Sequence, residues 1–123
     1  MYARLLSRLK RVLEKLGEQK DKVQILFITF DPNRDTSTHL KEYLSSFNKD
    51  FIGLTGSEKE IQSVAKSFKA IYFRDPQKKK NNNYTISHTD YIYLIGPKGN
   101  TRAYYRRDIP VGKIVKDIRS VLR

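Results

Sequence analysis

One apolar segment constrains the fold more than any other part of this chain. It is the run VQILFITF, from Val23 to Phe30, and the pair Asp31-Pro32 ends it. A run of this kind is typical of a strand that is buried on both faces, as in a parallel sheet between layers of helices. The segment therefore predicts a strand inside the sheet of an α/β domain.

Helical and strand patterns alternate along the rest of the chain. The predicted helices span residues 2–16, 35–47, 57–68 and 110–122, and the predicted strands span residues 23–30, 51–54, 70–74, 91–95 and 101–106. In the first helix, Leu9, Val12 and Leu16 recur at helical spacing. The chain has 123 residues, which is the length of one domain. Strands that alternate with helices, then a hairpin and a closing helix, predict a three-layer α/β architecture.

Short local motifs mark the ends of several elements. Gly17 supplies a stop for the first helix. Ser57 and Glu60 have the spacing of a capping box, in which each side chain accepts a hydrogen bond from a backbone N–H of the other residue. The segment Gly96–Asn100 is a strong turn signal and predicts a β-hairpin between the last two strands. The polar, low-complexity segment Asp75–Asn83 predicts a mobile loop.

Three segments together resemble a known family. They are VQILFITFDPNRDT, FIGLTGSEKEIQSVAKSF and YTISHTDYIYLIGPKGN. They resemble the Sco/SenC family, whose members are thioredoxin-fold copper proteins involved in maturing the copper A centre of cytochrome c oxidase. The resemblance implies that residues 1–123 form a single, partial Sco/SenC domain with a thioredoxin-like three-layer α/β/α fold. It also implies copper as the metal, and the copper subunit of cytochrome c oxidase or a copper donor protein as partner. Family members are membrane-anchored and face the periplasm or the mitochondrial intermembrane space, while the sequence leaves the compartment of this chain unknown.

The chain departs from the family pattern at its start. Family members carry a strand ending in a CPxxC-type element that opens a helix, whereas this chain contains no cysteine. Because Met1 to Leu16 resembles the remainder of that helix, we expect the N-terminal strands, including the central one, and both cysteines to lie upstream of Met1. Loss of a central strand leaves two ladder edges unpaired. We therefore expect either a gap or a direct pairing between strands 23–30 and 91–95, and poor stability of the isolated chain.

His88 is the candidate metal ligand, because it matches the copper-ligating histidine of the Sco/SenC family. Soft thiolates select Cu(I), and an imidazole completes such a site. One imidazole does not hold copper against water and cellular thiols, since affinity comes from several preorganised ligands. The resemblance therefore predicts a copper-family protein that does not bind copper tightly in this form. No nucleophilic or hydrolytic motif is present, and we expect the chain not to be an enzyme.

The DPNRDT segment, residues 31–36, matches a family element and has two interpretations. It either shapes the metal site or a partner-docking surface, or it is structural. In the structural interpretation Asp35 caps a helix, Pro32 shapes a turn and Arg34 pairs with a carboxylate. His39 would join His88 in a metal site only if both face one edge of the sheet. A calcium loop at this segment is disfavoured, because its sixth position is Thr36 where glycine is required.

A strongly basic composition supports an alternative function. The formal net charge is +12, from 25 Lys and Arg against 13 Asp and Glu. Such a charge favours anionic partners, so the alternative is a basic binding module for nucleic acid or anionic surfaces. Arg4, Arg8, Arg11 and Lys15 form a basic stripe beside the apolar face of the first helix. The competing interpretation of that stripe is a solvated helix face.

Overall fold

A computed structural model describes residues 3–74, 86–88 and 91–123, with side chains for residues 3–72 and 91–123. The loop predicted at Asp75–Asn83 lies outside the described residues. The helices are α1 (Ala3–Leu16), α2 (Ser37–Ser45), α3 (Glu58–Ser67) and α4 (Val111–Val121), with a 3₁₀ segment at Gly17–Lys22 after α1. The strands are β1 (Leu26–Ile28), β2 (Ile52–Leu54), β3 (Tyr72–Arg74), β4 (Ile86–His88), β5 (Tyr91–Ile95) and β6 (Thr101–Arg106). Strand β4 has no counterpart among the predicted elements.

Helix α1 packs against α4 through its apolar face. Leu6, Leu13 and Leu16 lie at helical spacing on this face and are buried in the main core. Gly17 follows with a φ of +60°, a left-handed conformation that glycine adopts without steric cost. The regular helix therefore ends at Leu16, as the position of Gly17 predicts.

Strands β5 and β6 form the predicted hairpin. They pair antiparallel, and the Gly96 N–H donates to the Asn100 carbonyl at 2.8 Å across the turn. Tyr105 points from β6 into the core and donates its hydroxyl hydrogen to Asp117 of α4 at 2.7 Å. This contact joins the hairpin to the closing helix. Burial, followed by the hydrogen bond to Asp117, raises the pKa of Tyr105 well above its usual range.

Strands β1 and β2 pair in parallel, with α2 packed on β2. The close approach of α2 depends on Gly53. A Cβ atom at this position would lie 2.7 Å from Cδ1 of Leu44 and 3.0 Å from Cβ of Leu40. Since both leucines are buried, any larger residue at position 53 would push α2 away from the strand.

The described strands form three separate two-stranded ladders, β1–β2, β3–β4 and β5–β6. Of the two predicted outcomes, the structure therefore has the gap between residues 23–30 and 91–95 and not their direct pairing. The prediction that Val23–Phe30 is a long strand buried on both faces is wrong here. Only Leu26–Ile28 is regular strand, and Leu26 is 54% exposed. The physical reason is that β2 is the one ladder partner of β1 in the described part of the chain.

No helix in the described ranges is both long and apolar enough to cross a membrane.

Candidate functional site

A network of polar groups is centred on Thr29, just after β1. Thr29 is 1% exposed, and its backbone N–H extends the β1–β2 ladder by donating to the Leu54 carbonyl at 3.2 Å. Its hydroxyl donates to Oδ2 of Asp35 at 2.6 Å and accepts from the backbone N–H of Asp31 at 2.8 Å. One buried hydroxyl thus holds both aspartates of the DPNRDT segment against the end of β1.

Asp31 is a buried carboxylate, 6% exposed, and it forms an ion pair with Arg34. A buried carboxylate is tolerated only when it is paired and hydrogen-bonded, and the Nε–H of Arg34 supplies both contacts to Oδ2 of Asp31. The backbone carbonyl of Asp31 separately accepts a hydrogen bond from the Asp35 N–H at 2.9 Å. The predicted pairing of Arg34 and the predicted turn at Pro32 are confirmed.

The start of α2 differs from the prediction that Asp35 caps this helix. Thr36 is the N-cap residue, and its hydroxyl accepts the His39 N–H at 3.2 Å. The Asp35 carboxylate faces back toward Thr29 instead, because that buried hydroxyl needs an acceptor. Thr36, the other member of the predicted pair, is therefore the residue that satisfies the helix terminus.

His39 lies on the first turn of α2. Its side chain is 60% exposed, and Nε2 lies 3.9 Å from Oδ1 of Asp35. Within the residues that the structure describes, no three His, Cys, Asp or Glu side chains are grouped so that they could hold a metal ion. The calcium interpretation also finds no support, because Asp31 and Asp35 are bonded to Arg34 and Thr29.

The backbone of His88 is placed near this network by the β3–β4 ladder. His88 and Tyr72 are Cα partners in that antiparallel pair. The Tyr72 ring stacks on Phe30, with centroids 4.7 Å apart and planes inclined by 21°. Phe30 directly precedes Asp31, so the ladder that carries His88 adjoins the DPNRDT segment. The side chain of His88 lies outside the described residues, and its role as a ligand stays a prediction.

Comparison with known proteins shows which family the chain belongs to. The model of the SCO1/SenC family matches residues 3–123. The chain belongs to the SCO1/SenC family. The resemblance carried by the three sequence segments is thereby confirmed, including for α1, which lies before the first of them.

Curated relatives in this family are similar over most of the chain. An SCO2-like protein of Rickettsia prowazekii is 36% identical over 111 residues, which cover 90% of this chain and 54% of the relative. The mitochondrial protein SCO2 of Saccharomyces cerevisiae is 44% identical over 96 residues, 76% of this chain and 32% of the relative. The chain therefore spans about half the length of the rickettsial relative and a third of the yeast one.

Solved structures share the fold. Arabidopsis thaliana ScoI with copper bound is 33% identical, with a TM-score of 0.81 over 94% of this chain and 73% of that one. Yeast Sco1 with copper bound is 33% identical with a TM-score of 0.78, and apo Sco1 of Thermus thermophilus is 28% identical with a TM-score of 0.86. These family neighbours confirm the predicted thioredoxin-like α/β fold.

The roles of Thr29 and of the Phe30–Tyr72 stack were not predicted from the sequence. A signal for Thr29 was present, because a hydroxyl inside the apolar run VQILFITF must find hydrogen-bond partners when it is buried. No comparable signal marked Phe30 and Tyr72, which are 42 residues apart along the chain.

Proposed function

We propose that the chain is a copper-handling SCO1/SenC domain in which His88 is the metal ligand, and that it does not hold copper tightly in its cysteine-free form. The observation that carries the proposal is the placement of the His88 backbone opposite Tyr72, whose ring stacks on Phe30 beside the DPNRDT segment. Similar proteins with copper bound support copper as the metal.

The available donor atoms argue for weak binding. The chain has no cysteine and two histidines. Asp31 and Asp35 are engaged with Arg34 and Thr29, and hard carboxylate oxygens do not suit Cu(I). The residues present therefore do not fit a tight Cu(I) site. His88 contributes one donor to a site whose thiolates must come from outside this chain.

The partner and the biological setting belong to the same proposal. We infer a role in the assembly of the copper A centre of cytochrome c oxidase, with the copper subunit of the oxidase or a copper donor protein as partner. The role is transfer or holding of copper and not the turnover of a substrate, so we propose that the chain is not an enzyme.

Competition with a Cu(I) chelator tests the proposal, with His88→Ala as the variant and His39→Ala as the matched control. The two substitutions each remove one of the two imidazoles. We expect the wild-type chain to lose copper to a chelator of nanomolar affinity, and to show only weak binding. His88→Ala should remove that weak binding, while His39→Ala should leave it unchanged.

Two results would contradict the proposal. Retention of one Cu(I) against a nanomolar chelator would show that the donor set is sufficient. Loss of the weak binding on His39→Ala, with no effect of His88→Ala, would show that the wrong imidazole is assigned.

A second candidate function is binding of an anionic partner. It is favoured by one observation, the concentration of positive charge on α1 and α4, and it does not depend on copper.

A further inference from the structure

The net charge of the chain is concentrated on two helices. Residues 3–16 and 111–123 together hold nine Lys and Arg against two Asp and Glu, a net charge of +7 out of the +12 of the whole chain. Helices α2 and α3 each have a net charge of zero. Because α1 and α4 pack on each other, most of this charge lies on the adjoining surfaces of the two helices, which we call the α1–α4 face. Of the nine cationic side chains of the two helices, eight are exposed and Arg8 is half-buried.

Two hydrogen-bonded contacts show how the helices lie. Arg8 donates to the Arg107 carbonyl just before α4 begins. Arg119, near the end of α4, donates to the Lys15 carbonyl at 2.9 Å. The helices therefore run side by side in the same direction. The stripe of Arg4, Arg8, Arg11 and Lys15 consequently lies on the flank of α1 that is turned toward α4.

A groove along α4, beside the C-terminal end of α1, is the most basic part of this face. Its volume is about 530 Å³, and its lining consists of Lys15, Gly112, Val115, Lys116, Arg119 and Arg123. We call it the basic groove. Gly112 has open space where a side chain would be, which leaves the groove open at that point. No acidic residue lines the groove. The nearby Asp117 carboxylate accepts hydrogen bonds from Tyr105 and Lys113, which lowers the pKa of Asp117 and offsets its charge.

The same face lacks exposed apolar anchors. Most apolar side chains of α1 and α4 are used in the core, and every exposed large hydrophobic residue of the described chain lies elsewhere. Within its described residues, 3–16 and 111–123, this face therefore has no aromatic side chain on which the bases of a single-stranded nucleic acid could stack. It also has no apolar stripe available to insert between lipid chains. What remains is electrostatic contact with phosphate groups.

The arrangement of the cations favours a flat partner. The cations are distributed along each helix and also across the two neighbouring helices. From its rise per residue, α1 is about 21 Å long. A flat lattice of phosphates can meet such a two-dimensional array at many points, whereas a duplex curves away from it. We propose that the α1–α4 face is a peripheral docking surface for an anionic bilayer, with a lipid phosphate headgroup in the basic groove. This inference does not depend on the copper proposal.

Vesicle co-sedimentation tests the proposal on the full chain. Vesicles of phosphatidylcholine alone are compared with vesicles that also contain phosphatidylglycerol. The test variant is Arg11→Glu with Lys116→Glu. The matched control is Lys41→Glu with Lys59→Glu, two exposed lysines on α2 and α3. Both double variants change the net charge by the same amount, so a difference between them reports the position of the charge. Circular dichroism checks that each variant keeps the wild-type helix content.

We expect binding only to the phosphatidylglycerol vesicles, and we expect it to fall steeply with added salt. The test variant should bind at least roughly tenfold more weakly, because each cation near an anionic surface contributes to binding. The control should stay within about twofold of the wild type, since its charges lie away from the contact. Equal weakening by the two variants would overturn the proposal. So would binding to duplex DNA at low salt without binding to the anionic vesicles.

Discussion

Thr29 lies where the sheet meets the DPNRDT segment, and its hydroxyl has two partners. It donates to the carboxylate of Asp35 and accepts from the backbone N–H of Asp31, both in a buried setting. A valine at this position would have nearly the same shape and would pair with neither group. The residue therefore shows how a single polar atom in an apolar run can organise a whole loop.

We expect Thr29→Val to lower the free energy of unfolding by about 1–3 kcal/mol, because it leaves buried polar groups without a partner. The measurement is urea denaturation followed by circular dichroism. Thr38→Val on the exposed surface of α2 is the matched control, and its effect should stay within about 0.5 kcal/mol. An unchanged unfolding midpoint for Thr29→Val would mean that the network does not support the loop.

Helix α3 shows how far local sequence alone can define an element. The Ser57 hydroxyl accepts the Glu60 N–H at 3.1 Å, and the Glu60 carboxylate accepts the Ser57 N–H at 2.9 Å. The predicted capping box is confirmed. The hydrogen bond from the Ser57 backbone, followed by that from its side chain, lowers the pKa of Glu60.

The lowered pKa of Glu60 predicts the direction in which stability changes with pH. A depressed folded-state pKa contributes stability above the unfolded-state pKa, about 4.3 for glutamate, and that contribution is lost as the pH falls through the folded-state value. We therefore expect the wild type to be more stable than Glu60→Gln at neutral pH, and the difference to shrink on acidification. Urea titrations at neutral and acidic pH measure it. Glu42→Gln, on α2, is the control for the loss of one helical carboxylate without a capping box. A stability difference between the wild type and Glu60→Gln that increases in acid would contradict a lowered pKa for Glu60.

At the scale of the whole molecule, the separation of the strands into three ladders leaves apolar side chains in solvent. Among the described side chains, the exposed large hydrophobics are Leu26, Ile52, Leu54, Ile71, Tyr91, Ile95 and Tyr104. Six of them lie in strands β1, β2, β5 and β6, and the seventh directly precedes β3. Exposed apolar strands are templates for pairing with another chain. The poor stability predicted for the isolated chain stays a prediction. We also expect the chain to self-associate through these exposed apolar strands.

We expect Leu26→Lys to weaken self-association roughly fivefold, because covering about half of a leucine side chain is worth about 1 kcal/mol. Thr55→Lys is the matched control, since it adds the same charge at an exposed position just after β2 without removing apolar surface. Sedimentation velocity over a range of protein concentrations measures the effect. Equal behaviour of both variants would show that charge, and not the apolar strand, controls association. A monodisperse wild-type monomer with a cooperative melt at high temperature would contradict the wider expectation.

Elements that depend on neighbouring residues were predictable from the sequence. The predicted bounds of β5 and β6 are the observed ones, and the turn at Gly96–Asn100 determines where β5 ends and β6 begins. Helix α1 ends at the residue before Gly17, and α3 begins directly after its N-cap residue Ser57, for the same local reason. Family membership was also accessible, since the matching segments are continuous in sequence.

Features that depend on distant residues required the tertiary structure. The exposure of Leu26 follows from which strands lie beside β1, and the apolar pattern of Val23–Phe30 does not contain that information. The placement of His88 depends on pairing with Tyr72, sixteen residues earlier, and on a ring stack with Phe30. The basic groove likewise forms only because two helices about a hundred residues apart pack in parallel. Sequence patterns act over a few residues, whereas pairing and packing act across the chain, and that difference in range separates what was predicted from what had to be observed.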